Sequence, residues 1–193
     1  MATFSEHGNK YENSIVIADS SSSDPEYYDL TLGTEQKTYE VYIWFKSGEN
    51  FNTDDNLQFI FLDNNDNLLN QQWEVHKSYG TTGATYSHEP ANTSSDYMNP
   101  FDGITLQYTD GPAFVYLRVR ADGNYSAFEG KGFAQTSTDN QFIVTDFCGD
   151  INVGSTNWPR KIRFYCKKRT DTTTTNYFSS LVAYSVPIGD TVI

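Results

Sequence analysis

The strongest constraint on the fold is a strict alternation of apolar and other side chains within short segments. It is clearest in KTYEVYIWFK, residues 37–46. Successive side chains of a β-strand point to opposite faces, so Tyr39, Val41, Ile43 and Phe45 would share one face of such a strand. No segment of the chain shows a convincing apolar period of 3.6 residues, which argues against long helices. The segment is therefore predicted to be a strand with one buried face.

Similar segments follow at regular spacing and are separated by turn-rich connections. Many short strands of this kind predict an all-β protein, specifically an antiparallel β-sandwich of jelly-roll type, with a β-barrel as the alternative. Residues 1–25 are expected to form an N-terminal arm with one short strand and a flexible Ser-rich turn, and residues 26–193 a single sandwich domain. The predicted strands cover 14–18, 26–32, 37–46, 57–62, 68–77, 103–108, 113–121, 125–134, 141–147, 160–167 and 177–186.

Charge and the terminal sequence exclude several classes of function. The formal net charge is −12, whereas proteins that bind nucleic acid in general usually carry an excess of Lys and Arg. No apolar run is long enough to cross a membrane, so no membrane partner is expected. The first residues, MATFSEHGNKYENS, lack the basic and apolar regions of a signal peptide. Cys148 and Cys166 both end apolar strand patterns, which predicts buried free thiols rather than a disulfide.

A cluster of basic residues stands out against this acidic background. Six of the 13 Lys and Arg side chains fall within RKIRFYCKKR, residues 160–169. One hypothesis is a basic docking stripe for an acidic partner; the alternatives are an edge strand protected by charge and simple neutralisation of the protein's own carboxylates. The stripe is predicted to comprise Lys161, Arg163, Lys167, Lys168 and Arg169.

Two other predicted strands place aromatic and guanidinium groups on their outward faces. Side by side they would form a binding surface for a protein or a glycan, because aromatic rings stack on sugars and Arg donates directional hydrogen bonds. The alternative is that the protein's own loops cover these rings. The predicted partner- or glycan-binding residues are Tyr42, Trp44, Tyr116, Arg118 and Arg120.

Motifs for catalysis and metal binding are sparse. The sequence holds no nucleophile elbow, phosphate loop or zinc-helix motif, so a non-enzymatic protein is predicted, although a pair of carboxylates for glycoside hydrolysis is left open. The segment DNNDN, residues 63–67, offers Asp63, Asn65 and Asp66 as oxygen ligands for Ca²⁺. Its spacing is not that of an EF-hand, and an ordinary Asx-rich turn is favoured, with no cofactor expected.

Two segments carry a resemblance to known modules. TYEVYIWFKSG, residues 38–48, resembles a strand of jelly-roll carbohydrate-binding modules and of similar modules on phage tail fibres, and FVYLRVRADGN, residues 114–124, is similar to a later strand of the same modules. The acidic, Thr- and Asn-rich composition is also similar to that of phage and viral virion proteins.

The resemblance implies a jelly roll with a binding role. The expected function is that of a virion subunit, in a capsid decoration or an attachment fibre, located in the virion. It would bind other virion proteins or copies of itself, and surface polysaccharide is a further expected partner. A free carbohydrate-binding module is the alternative, and a glycan hydrolase on a jelly roll is a third hypothesis.

Overall fold

The computed structural model describes residues 13–18, 27–47, 57–80, 86–89, 97–101, 106, 113–135, 142–166 and 178–188. Within these residues all regular structure is β-strand, and no membrane-crossing helix is found among them. The strands are β1 (Asn13–Ala18), β2 (Tyr27–Thr31), β3 (Lys37–Ser47), β4 (Gln58–Leu62), β5 (Leu68–Leu69), β6 (Gln71–Gly80), β7 (Tyr86–Glu89), β8 (Ala113–Ala121), β9 (Ser126–Gln135), β10 (Phe142–Ile151), β11 (Lys161–Tyr165) and β12 (Phe178–Ile188).

These strands form two antiparallel sheets that pack face to face. The larger sheet has eight strands in the order β1-β12-β3-β8-β9-β10-β6-β7, and the smaller has four in the order β2-β11-β4-β5. The pairings β1–β12, β2–β11, β3–β8 and β4–β5 are nested along the chain and alternate between the two sheets, as in the winding of a jelly roll. The predicted β-sandwich is confirmed; the barrel alternative is wrong, because the sheets do not close on themselves.

The core lies between the sheets and is rich in phenylalanine. The predicted inward set of β3 is confirmed, since Tyr39, Val41, Ile43 and Phe45 are all at most 1% exposed. At the centre of the smaller sheet, the ring of Phe59 lies 5.7–6.4 Å from four other rings. Each buried ring contributes about 1.5–3 kcal/mol relative to an exposed one. The four neighbours are Phe61, Phe128, Phe147 and Phe164.

Glycines in the large sheet make room for some of these rings. Phe147 of β10 is directly opposite Gly130 of β9, and Phe128 of β9 is directly opposite Gly149 of β10. A Cβ atom on Gly149 would lie 2.7 Å from the Phe128 ring, and one on Gly130 would overlap the Phe147 ring. Each glycine is therefore covered by an aromatic side chain of the neighbouring strand.

Several boundaries differ from those predicted. The predicted strand 68–77 is interrupted at the exposed Asn70, so that its first part, β5, belongs to the small sheet and its second, β6, to the large one. The strand expected at 14–18 is present as β1 and pairs with β12. The rest of the proposed arm and most of the predicted strand 103–108 lie outside the described residues, so the arm remains a prediction.

The cysteine prediction is half right. Neither thiol is in a disulfide, and Cys166 is buried as expected. Cys148 is exposed, contrary to the prediction. The alternation of β10 explains the error, because Phe147 and Ile151 point into the core and Cys148 therefore faces outward.

Candidate functional site

The outer face of the eight-stranded sheet carries a cluster of aromatic side chains, here called the platform. Strand register assembles it: Tyr42 of β3 is directly opposite Tyr184 of β12 on one side and Tyr116 of β8 on the other. Trp44 is likewise opposite Phe114. The platform consists of Tyr42, Trp44, Phe114, Tyr116, Phe133 and Tyr184.

The platform rings pack against one another. Tyr42 and Tyr184 stack with centroids 5.1 Å apart and planes 21° apart, and Tyr42 and Trp44 are 6.3 Å and 15° apart. Trp44 also lies 5.0 Å from Phe114, which lies 5.9 Å from Phe133. Rings stacked at these distances cover part of each other's faces.

An apolar row runs across this face at the level of Trp44. Six side chains on six neighbouring strands are directly opposite one another, and none of them is buried. Val16 is 58% exposed and Phe133 is 41% exposed. Contiguous apolar surface of this kind is typical of an interaction site. The apolar row consists of Val16, Val182, Trp44, Phe114, Phe133 and Val144.

Glu40 fixes the two tyrosines at the centre of the platform. The hydroxyl of Tyr42 donates to Oε2 of Glu40 at 2.9 Å, and the hydroxyl of Tyr116 donates to Oε1 at 2.9 Å. Burial, followed by the hydrogen bond to Glu40 and its negative charge, raises the pKa of Tyr42 to about 12. The same causes raise the pKa of Tyr116. Both hydroxyls therefore stay protonated and remain donors well above neutral pH.

Charged side chains beside the platform are closely balanced. Arg118 of β8 lies between two carboxylates, 3.9 Å from Glu40 and 3.4 Å from Glu129. On the next row Lys131 is 2.8 Å from Asp146. Three carboxylates against two cations leave a single negative charge among these five residues, in a chain whose net charge is −12.

Four of the five predicted binding residues are brought together here: Tyr42, Trp44, Tyr116 and Arg118. Arg120 points to a different contact, because its guanidinium is 2.9 Å from Oδ2 of Asp122 and lies over the ring of Tyr125. The prediction omitted Tyr184, Phe114 and Phe133 from the binding set. The alternation within each strand predicts that these three residues face outward. It does not predict which strands lie side by side, because that depends on pairings between segments that are distant in sequence.

The basic stripe is dispersed among the protein's own carboxylates where the structure describes it. Arg163 donates to both oxygens of Asp29 at 2.7 and 2.8 Å, and its guanidinium lies 3.8 Å from the centroid of Tyr27. Lys161 donates to Asp66 at 2.6 Å. Edge protection is wrong as an explanation, because β11 lies inside its sheet between β2 and β4. Lys167, Lys168 and Arg169 lie outside the described residues.

The loop proposed for Ca²⁺ is organised as a turn around Asp63. Asp63 as a residue is 1% exposed, and its carboxylate accepts hydrogen bonds from the backbone of Asn65 and from the backbone and side chain of Asn67. Burial raises the pKa of Asp63, but these hydrogen bonds outweigh it and hold the pKa below its usual value. Asp66 has φ of 61° and pairs with Lys161. These hydrogen bonds and the positive φ are typical of an Asx-rich turn between two strands.

Cys148 is exposed on the same outer face but is poorly suited to nucleophilic chemistry. Its Sγ donates to Oε1 of Glu74 at 3.3 Å. Partial burial, the hydrogen bond to Glu74 and nearby carboxylates raise the pKa of the thiol to about 11. Because the thiolate is the reactive form, the thiol is largely unreactive near neutral pH. Among the described residues no three His, Cys, Asp or Glu side chains are grouped to hold a metal ion.

No protein-family model, curated protein or solved structure matches this chain.

Proposed function

We propose that this chain is a non-enzymatic structural subunit that associates through the platform with a second copy of itself. The observation that supports this proposal is the apolar row, an unburied line of Val, Trp and Phe side chains across six strands of one sheet. Aromatic residues at the centre of a surface, with polar groups around them, are the usual composition of a protein–protein interface.

The charge distribution favours a second copy as the occupant. Two chains of net charge −12 repel each other over most approaches. The platform is a place where the repulsion is small, because its acids and bases are nearly balanced. In a two-fold contact the same patch meets itself, so alternating charges such as Glu40, Arg118 and Glu129 can face opposite charges of the partner.

The proposed setting is a virion, in which the subunit would decorate a capsid or form part of an attachment fibre. The support for this setting is the resemblance of residues 38–48 and 114–124 to modules of phage fibres, together with a compact sandwich that suits repeated assembly. A different virion protein as the occupant of the platform is the alternative partner.

The test of self-association compares two exposed aromatic residues on opposite sheets. Phe133 lies in the apolar row and is 41% exposed, whereas Tyr27 lies on the small sheet and is 42% exposed. Sedimentation analysis over a range of concentrations should show self-association of the wild type. Phe133→Glu should weaken it at least roughly tenfold, a change of about 1.4 kcal/mol, since it places a charge within an apolar contact.

The matched control is Tyr27→Glu, which adds the same charge on the other sheet and should self-associate nearly like the wild type. A wild type that is monomeric at its highest soluble concentration would rule out a second copy as the occupant. In that case the alternative is that a different virion protein occupies the platform. Retention of the wild type and of Phe133→Glu on purified virions tests this alternative.

A free carbohydrate-binding module is the second candidate function, and a hydrolase the third. The mutual stacking of Tyr42, Trp44 and Tyr184 does not favour the platform as a sugar site, because the ring faces are partly covered. We propose neither turnover nor a cofactor. Release of sugar from a broad polysaccharide panel would contradict the proposal that the protein is not an enzyme. A melting temperature that depends on Ca²⁺ would contradict the proposal that it has no cofactor.

A further inference from the structure

An open groove lies at one end of the large sheet, away from the apolar row. It has a volume of about 430 Å³ and is lined by three chain segments: the start of β6, the turn between β8 and β9, and the end of β10. The backbone N–H of Asn152 donates to the carbonyl of Asn70 at 2.8 Å and so joins two of its walls. Six residues along β10 separate Val144 of the apolar row from Asp150 of the groove, so the two are roughly 20 Å apart at a strand rise of about 3.3 Å per residue.

Side-chain amides dominate the groove lining. Four of them are exposed, and an amide offers both a donor and an acceptor, as does a sugar hydroxyl. Asp150 is the one charged side chain among the described lining residues, so none of these residues is a Lys or an Arg. The described lining therefore offers no cation to an anionic ligand, and the nearby guanidinium of Arg120 is already paired with Asp122. The exposed amides are Asn70, Gln72, Asn124 and Asn152.

Tyr125 supplies an exposed aromatic ring that is held in place on two sides. Its hydroxyl donates to Oδ1 of Asp150 at 2.7 Å, and the guanidinium of Arg120 lies 5.7 Å from its centroid. Arg120 is itself fixed by Asp122, which is 3% exposed and accepts from the backbone of Asn124. Tyr125 as a residue remains 52% exposed. A fixed ring loses little conformational entropy when a ligand stacks on it.

One buried acceptor of the lining has no hydrogen-bond partner among the described residues. Gln71 is 1% exposed, and its amide nitrogen reaches the carbonyl of Phe59 at 3.4 Å. Its side-chain oxygen makes no hydrogen bond to any residue that the structure describes. Buried polar atoms without a partner are rare and are often completed by water or a ligand.

We propose that this groove binds a neutral saccharide, with a sugar ring stacked on Tyr125 and its hydroxyls hydrogen-bonded by Asn70, Gln72, Asn124 and Asn152. Exposed aromatic C–H surface, bifunctional amides and a single carboxylate are the groups that recognise an uncharged, hydroxyl-rich ring. This proposal goes beyond self-association through the platform and does not depend on it.

The test begins with an array of neutral oligosaccharides, and the strongest signal is then measured by calorimetry. The wild type should bind, and Tyr125→Ala should lower the affinity roughly tenfold through loss of the stacked ring. Asn152→Ala should also weaken binding, whereas Tyr125→Phe should lose less than Tyr125→Ala because it keeps the ring. Circular dichroism and melting temperature establish that each variant is folded.

Tyr27→Ala is the matched control, since Tyr27 is also an exposed tyrosine beside a guanidinium but lies on the other sheet. It should bind like the wild type. No binding to any neutral saccharide overturns the proposal, and so does binding that Tyr125→Ala and Asn152→Ala leave unchanged. Saccharide binding lost in Trp44→Ala but kept in Tyr125→Ala would also overturn it and would place the sugar on the platform.

Discussion

At the scale of single residues, Arg163 shows how this protein neutralises positive charge within itself. Both its neighbours, Asp29 and Tyr27, belong to β2, which pairs with β11. The guanidinium side chain is 19% exposed and the carboxylate 28% exposed. Hydrogen bonding to Asp29 outweighs the effect of burial and raises the pKa of Arg163 above its usual value. The pair is bidentate, the geometry in which Arg binds a carboxylate most strongly.

Arg163→Gln should therefore destabilise the fold by about 1.5–3 kcal/mol, since it removes charged hydrogen bonds and leaves Asp29 unpaired. Lys161→Gln should cost less than about 1 kcal/mol, because its partner Asp66 is 53% exposed. Urea unfolding followed by fluorescence measures both. The double variant Asp29→Asn with Arg163→Gln should be less destabilised than the sum of the two single changes. Equal losses of stability for Arg163→Gln and Lys161→Gln would contradict the conclusion that Arg163 makes the stronger ion pair.

At the scale of strands, β9 and β10 depend on each other through their phenylalanine–glycine pairs. Phe147 of β10 covers Gly130 of β9, and Phe128 of β9 covers Gly149 of β10. Each strand therefore contributes one ring that packs over a glycine of the other. Gly130 and Gly132 keep two interior positions of β9 small, which leaves room for the rings of Phe147 and Phe101.

Gly130→Ala should destabilise the protein by about 1–3 kcal/mol, as expected of overpacking. The added Cβ would overlap the backbone carbonyl of Tyr116 as well as the Phe147 ring, and the backbone cannot move aside alone. Thermal or urea unfolding measures the effect. Gly154→Ala is the control and should change the stability by less than about 0.5 kcal/mol, because nothing lies within 4 Å of its added Cβ. Similar costs at the two positions would show that the β9–β10 packing is looser than described.

At the scale of the whole molecule, the sequence predicts what is local and misses what depends on distant pairing. Alternation identified the buried set of β3, because the side-chain period of a strand is a local property. It could not show that Tyr184 is opposite Tyr42, or that Arg163 meets Asp29, which is 134 positions away. The groove was missed for the same reason, since Asn70, Asn124 and Asn152 each resemble ordinary turn residues.

The net charge of the molecule gives the salt dependence of its self-association. Because each copy carries −12, repulsion should be strongest at low salt and should weaken as the screening length falls from about 30 Å at 0.01 M to about 10 Å at 0.1 M. An apolar platform contact should therefore strengthen with added salt over this range, as measured by sedimentation. Docking through the basic stripe requires the opposite trend, so association that weakens with salt would point to that stripe instead.

The pairing of the first and last strands that the structure describes bears on how the molecule responds to force. Asn13 of β1 is opposite Ser185 of β12, and β12 ends close by at Ile188. A pull on these two strand ends would act across the β1–β12 hydrogen bonds, which are perpendicular to the strands, and would open them one pair at a time like a zipper. Tension between the strand ends should therefore peel β1 away at low load. A force applied to the outer face of the large sheet would be shared by many strands at once. A subunit held by that face should therefore withstand a higher force than one pulled by the ends of β1 and β12.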